Sequence, residues 1–514
     1  MNLFFTQAVR WPRRDAFSSI GGPNSQALRR PRRVYGKLAH AGSVLKFFGP
    51  FQSERDEVTA FPRFYKQTLR GVYPERNTEI LRSAQNGERR ARHEISLGCG
   101  PTVLRNTIPA PLLLLALLLI SLPACAQTSG GGQTTSEGSA NSGTDTTIFS
   151  HPSGRFWLSG QMNFISQSSG SFPAAYNGPN SFGPEAQTAT SRVLTLYTGL
   201  ELNDGFQIIA DIESAGGHGL SAGAGLGGFP DLDIVRTPDL GQTPYLARFL
   251  VEKTIALGGG SESNDRSFLS LSNSMPERRL EIWLGKFSTV DFFDVNPVGS
   301  DSHLQFLNWA VDNNAAYDYA ANTRGYTWGA VMQFYDRYWA LRFGEAMMPK
   351  VANGENLDAD IARAHSENLE LELNPSLIRH RATSVRLLWY VNHADMGNYR
   401  DAIDGFLSGQ SSVPDVTLSR RQGRVKYGFG VNVYQELGDG ARLYGRWGWN
   451  DGRNESFVYT EVDRTVSFGG DLAGSDWHRS FDKLGAAFVV DGISGDHRRY
   501  LALGGEGFIL GDEG

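Results

Sequence analysis

Cysteine is nearly absent: the 514 residues hold two, Cys99 and Cys125. That excludes a disulfide-stapled miniprotein. The ten histidines show no paired metal-ligand spacing, and no nucleophile elbow or zinc motif occurs. Long apolar runs are equally scarce, and a mean hydropathy of −0.32 excludes a bundle of membrane-spanning helices. The sequence does have 60 glycines and 11 % aromatics, a combination that favours many short strands and turns over long helices.

The formal net charge of −5 hides a split. Residues 1–102 carry 18 basic and 8 acidic side chains, leaving 31 and 46 for the remainder. Two such compositions do not belong to one domain. The segment 103–126 marks the break. Arg105 is a positive n-region, Ile108 to Leu122 an apolar stretch, and Ala124-Cys125-Ala126 a small-residue cleavage site. The stretch is shorter than the ~20 residues a helical anchor needs, so 103–126 is read as a secretory signal. Leu122-Pro123-Ala124-Cys125 also resembles a lipobox, but Pro123 is unusual there, and cleavage after Ala126 is expected. No Met lies between Met1 and Met162. Residues 1–102 are therefore either an over-extended gene call or a basic disordered extension, and 127–154 is a Gly/Ser/Thr-rich linker.

From Phe156 onward the hydropathy period is two. Phe156, Leu158, Met162 and Phe164 alternate with Ser159, Gln161 and Asn163; Leu369, Leu371 and Leu373 alternate with Asn368, Glu370 and Glu372. The pattern recurs through Val385–Val391, Val425–Val433 and Leu443–Trp449 to Leu484–Val490 and Tyr500–Leu510. This gives about fourteen strands of the length a tilted membrane-spanning strand requires. Alternation also fits a soluble sandwich or propeller. Full charges on the polar face (Asp211, Glu213, Glu370, Glu372, Arg386, Arg442, Arg446) suit a wet lumen better than a soluble core. Trp157, Tyr245, Tyr326, Trp328, Tyr338, Trp339, Trp447 and Trp449 sit at strand ends, as interfacial girdles do. The expected fold is all-β, a transmembrane antiparallel β-barrel over 155–514.

Other motifs carry less. Gly223-Ala224-Gly225-Leu226-Gly227-Gly228 matches a dinucleotide-binding glycine pattern, but Phe229-Pro230 follows instead of a helix, so it reads as a loop. Glu370 and Glu372 have the chemistry of a glycosidase pair, although i, i+2 spacing on one strand makes them neighbours on a charged lumen face.

One polar-aromatic stretch stands out: Phe292-Phe293-Asp294, Phe306-Leu307-Asn308-Trp309, Tyr317-Asp318-Tyr319 and Thr323-Arg324-Gly325-Tyr326-Thr327-Trp328-Gly329. With Gly445-Arg446-Trp447-Gly448-Trp449-Asn450-Asp451-Gly452-Arg453 and Tyr459-Thr460-Glu461-Val462-Asp463-Arg464, it resembles the carbohydrate-selective outer-membrane porins of the OprB family from about Phe156 to the chain end. The resemblance implies a sixteen-stranded barrel with a saccharide-conducting lumen. Against that number the last hairpin is expected to be missing, since the chain finishes on the polar turn Gly511-Asp512-Glu513-Gly514.

Sugars present hydroxyls at the ring edge and C–H groups on its faces, so a channel that favours them combines hydrogen-bonding side chains with flat aromatic surfaces. Asn308, Asn313, Asn314, Asp318, Asn322 and Arg324 supply the first; Trp309, Tyr317, Tyr319 and Tyr326 supply the second. This segment is expected to fold inward as a constriction, with Arg342, Arg386, Arg442 and Arg446 on the wall opposite. The expected function is passive diffusion of mono- and small oligosaccharides across a bacterial outer membrane, with no catalytic residue, metal or cofactor. Expected partners are the permeant sugars, outer-membrane lipid, the barrel-assembly machinery and further copies of the chain, and no nucleic acid. Two alternatives remain open: a general or anion-preferring channel, and a secreted β-rich polysaccharide-binding protein or glycosidase.

Overall fold

A computed structural model describes residues 154–511 apart from 176, 179, 203–204, 225–239, 375–380, 439, 459 and 480–481. The basic extension, the signal segment, the linker up to 153 and most of the glycine motif fall outside the described residues.

Among the described residues fifteen strands follow one another: β1 (Phe156–Ser169), β2 (Gln187–Glu201), β3 (Phe206–Gly217), β4 (Tyr245–Ala256), β5 (Ser261–Ser263), β6 (Ser274–Pro276), β7 (Arg279–Phe287), β8 (Thr327–Asp336), β9 (Trp339–Met347), β10 (His365–Leu373), β11 (Thr383–Met396), β12 (Arg421–Gly438), β13 (Ala441–Asn450), β14 (Arg464–Ala473) and β15 (Lys483–Gly492). Thirteen of them form one antiparallel sheet in which each strand pairs with its neighbour in the chain. The exception is the β4–β7 ladder, which straddles a separate β5–β6 hairpin. Among the described residues no ladder joins β15 to β1. Thirteen strands thus stand where about fourteen were expected.

One expected strand is replaced. Tyr500–Leu510 begins within a helix, Gly495–Ala502, capped by the Ser494 side chain on the His497 N–H. Tyr500 and its neighbour Leu501 both pack on a second helix, Tyr399–Leu407. Adjacent buried residues fit a helix face and not an alternating strand. The following turn is held by Glu461, whose carboxylate accepts the N–H groups of Phe508, Ile509 and Leu510 at 3.2, 2.6 and 2.7 Å.

Burial is inverted relative to a soluble protein. Met162 and Phe164 are 64 % and 62 % exposed, and Leu369, Trp389, Trp447 and Phe468 also face outward. Asp211, Glu213, Glu370, Arg342, Lys426 and Arg446, on the opposite face of their strands, are buried. In water such an outer surface would waste the hydrophobic effect, whereas in lipid it is the stable arrangement. Trp328, Tyr338, Trp339 and Trp447 are exposed on this outer face, as a girdle requires. Trp157, Tyr245 and Tyr326 are corrections to that expectation: parity along β1 and β4 points Trp157 and Tyr245 inward, Tyr326 precedes β8 at the end of the connection 288–326, and Trp157 and Tyr326 are buried.

Three connections at one end are tight. Turn 337–338 is an example, and Gly205 (φ +71°) and Gly440 (φ +83°) supply the left-handed backbone of two others. The opposite end carries 288–326, 348–364 and 397–420, and it is where the connections after β1, β3 and β13 leave the sheet. Short periplasmic turns and long extracellular loops are the habit of outer-membrane barrels. Two connections enter the interior, 288–326 from the long-loop end and 257–278 from the short-turn end.

Candidate functional site

The segment 288–326 is seated on the inner face of β10–β13. Its root is apolar: Phe292 packs on Trp283 and Phe287, with ring centroids 5.3 Å apart in each case. Asp294, in the left-handed region at φ 58°, is the first polar anchor on the β10–β13 wall. Its carboxylate accepts the Asn314 N–H at 2.8 Å and Asn432 Nδ2 at 2.9 Å, and lies 3.0 Å from Arg446 Nε. Arg446 also donates to the carbonyls of Val311 (2.7 Å) and Asp294 (3.1 Å) and to Ser300 Oγ (2.9 Å). Its side chain is fully buried beneath the segment.

A short helix, Trp309–Asp312, follows, with the Asn308 side chain accepting the Ala310 N–H at 2.9 Å. Burial pushes the Asp312 carboxyl up to about 8, with Arg446 pulling the other way. The Asn313 side chain donates to Asp312 Oδ2. Asn314 lies in a bed that only glycine provides, since a Cβ at Gly448 would come 2.0 Å from its Oδ1 and one at Gly430 2.5 Å from its Nδ2. Tyr317 donates to Asn368 Oδ1 at 2.6 Å, and Tyr319 rests on Tyr317 at 5.6 Å. The Asp318 carboxylate accepts the N–H groups of Phe457 and Val458 and pairs with the fully buried Lys426 at 3.3 Å.

The sequence-derived residues therefore divide. Trp309, Asn313, Asn314, Tyr317, Asp318 and Tyr319 are buried and hold the segment against the wall. Asn308 is half-buried as a helix cap. Arg446 lies under the segment and not across from it. Arg342 and Arg386 together grip Glu370 and Glu372, at 3.1 and 2.5 Å for Arg342 and 3.4 and 3.2 Å for Arg386. Arg442 forms a two-point pair with Asp471. Each of these arginines meets a carboxylate, which keeps the wall polar but locally neutral. Arg324 differs. It is half-buried, stands over the Tyr245 ring at 4.2 Å and donates to the Gly241 carbonyl.

Around Arg324 lies a cluster that the sequence reading missed in part. Tyr326 and Tyr245 both donate to Glu213. Arg248 forks onto Asp291 at 2.7 and 2.8 Å, lies 3.6 Å from Asp211, and faces the Tyr326 ring at 5.4 Å. Tyr197, inward on β2, donates to Gln161 at 2.9 Å. The alternation placed Asp211 and Glu213 on the polar face. Arg248 escaped it because the register shifts at Asp211/Ile212, where Ala247 is the extra residue. Tyr197, Tyr245 and Arg248 on the inner face of β2–β4, with Arg324 and Tyr326 from the end of the segment, form a strip of flat rings and planar guanidinium groups apart from the anchors on β10–β13. Among the described residues no group of His, Cys, Asp or Glu has the arrangement of a metal site.

Residues 180–508 match the family model of the carbohydrate-selective porins, OprB family. Among solved structures, the high-pH structure of Pseudomonas putida OprB aligns at 15 % identity and a TM-score of 0.49, covering 68 % of this chain and 78 % of that one. The Salmonella typhi OmpF complex with daunomycin aligns at 7 % identity and a TM-score of 0.30, covering 67 % and 93 %. No curated protein matches significantly.

Proposed function

Since the chain belongs to the OprB family of carbohydrate-selective porins of the bacterial outer membrane, we propose that it passes small sugars by diffusion along the strip formed by Tyr197, Tyr245, Arg248, Arg324 and Tyr326. The observation that supports this route is the pairing of charge with flat surfaces. The strip combines aromatic faces for C–H groups with guanidinium and carboxylate edges for hydroxyls, while its charges compensate one another. Such a surface attracts a neutral polyol without trapping an ion, and weak, multi-point contact allows release. The residues that hold the segment 288–326 act on the passage indirectly, by fixing its width.

Paired arginines argue against the anion-preferring reading, and a near-neutral reversal potential under a salt gradient is expected. The secreted-enzyme reading conflicts with the apolar outer face, which calls for lipid and for insertion by the barrel-assembly machinery. Export by the segment 103–126 predicts Gln127 as the first residue of the membrane-bound protein, which N-terminal sequencing reads directly. Selectivity is tested by liposome swelling with glucose, a disaccharide and an amino acid of similar size. Faster swelling with the sugars is expected, and equal rates for sugar and amino acid would overturn sugar selectivity.

A further inference from the structure

The connection 257–278 lies at the short-turn end, yet it is built into the lumen. The β5–β6 hairpin closes its base, and Asn264 Nδ2 bridges to Ser270 Oγ and the Ser272 carbonyl, each at 2.7 Å. Gln207, inward on β3, holds it with both ends of its amide. Nε2 donates to the Leu269 carbonyl and Oε1 accepts the Leu271 N–H, each at 3.0 Å. Leu271 is fully buried over Gly199, where a Cβ would come 2.8 Å from its Cδ1. Arg266 donates to the carbonyls of Leu271 and Gly154 and covers the Trp157 ring at 5.5 Å. A slack periplasmic turn would need none of these contacts.

Phe268 is the tip of this device. Its ring lies on Tyr197, with centroids 4.6 Å apart and planes 30° from parallel, and 5.1 Å from the Arg248 guanidinium. Arg248 also meets Tyr326, of the segment that enters from the extracellular end, at 5.4 Å. The two inserted connections, coming from opposite mouths, therefore meet at one guanidinium. Phe268 itself is only half-buried.

We propose that the connection 257–278 is a second constriction on the periplasmic side, and that Phe268 is the stacking surface on which a sugar leaves Arg248 for the periplasm. The inference rests on the porin reading and adds to it an exit element with its own residue. An aromatic face stacks on the C–H face of a pyranose, and its position at the end of the strip makes it a specificity-determining contact distinct from Arg324 at the entrance.

The test is sugar-dependent block of ion current through the full chain in planar bilayers. Phe268→Ala is expected to raise single-channel conductance and to raise the half-blocking sugar concentration about two- to tenfold. Phe268→Trp should keep block within about twofold of the parent, since it retains the face. Residues 154–511 hold no cysteine, so Phe268→Cys allows a control independent of folding. A charged, membrane-impermeant thiol reagent added on the periplasmic side should lower the conductance of a channel already recorded open. A parent channel that sugar blocks, together with unchanged conductance and block in Phe268→Ala and no response to the reagent in Phe268→Cys, would overturn the inference alone. A parent channel that no sugar blocks would overturn the porin reading, and the inference with it.

Discussion

Arg446→Met removes the guanidinium that holds the first half of the inserted segment. Three hydrogen bonds disappear, to Val311 O, Asp294 O and Ser300 Oγ, along with the ion pair to Asp294. Asp294 stays buried with only Asn314 N–H and an Asn432 amide proton on its carboxylate. Breaking a buried pair from one side costs about 3–5 kcal/mol. At ~1.4 kcal/mol per tenfold, the docked state of 294–312 loses roughly two to three and a half orders of magnitude in population relative to a released one. The barrel ladders are untouched, so the variant should keep the heat-modifiable mobility of a folded barrel. Its single-channel conductance should rise and become noisier, and chymotrypsin should cut at Phe306 or Trp309, which the parent protects. Asp294→Asn combined with Arg446→Met removes both charges and, because Asn tolerates the left-handed backbone at 294, should recover most of the parent's resistance to chymotrypsin. Native conductance and protection in Arg446→Met would refute the anchoring role. A double variant as protease-sensitive as the single one would refute the unpaired charge as its cause.

Three further outcomes follow from the same geometry. The Asp312 carboxyl titrates at about 8 in the folded protein against an ordinary value of 3.8, so its contribution to stability falls as pH rises from about 4 to 8 and then levels off. Asp312→Asn should flatten that dependence and raise thermal stability most above pH 8, and a parallel shift at every pH would count against the assignment. Asp463, partnered by His497 Nδ1 at 3.1 Å, is held below the usual carboxylate range despite burial. Its stabilising contribution is present above pH ~3.8 and lost as pH falls through the folded value, so amide hydrogen-exchange protection of the helix Gly495–Ala502 should fall on acidification below pH 4, and pH-independent protection would contradict it. Leu369→Arg places a charge on the outer face midway along β10. It should cost about 2–4 kcal/mol in urea-titrated folding into bilayers, and a cost near zero would mean that this face does not meet lipid.

Much of this molecule is written in local pattern. Leu369, Leu371 and Leu373 against Asn368, Glu370 and Glu372 define both the strand and its faces, because a strand's side chains alternate whatever surrounds them. The inward segment was legible from its density of Asn, Asp and Tyr between two strands. Its chemistry was not. Asn313, Asn314, Tyr317 and Asp318 look like a sugar-binding set in sequence, yet Tyr317 is taken by Asn368, and Asp318 by Lys426, Phe457 and Val458, up to 140 positions away. The glycine excess was read as turns. Gly430 and Gly448 show a second use, a smooth bed for Asn314, which no single strand could announce.

Composition and period by themselves determined a lipid-facing antiparallel β protein, since the hydropathy of successive residues depends only on which side of a strand each one stands. The tertiary structure alone decided which polar side chains face the passage and which are spent holding a loop. Burial and pairing are properties of two distant segments brought together, and neither segment carries that information alone. For the same reason the register shift beside Ala247 and the meeting of Phe268, Arg248 and Tyr326 from opposite ends of the barrel were invisible in the sequence.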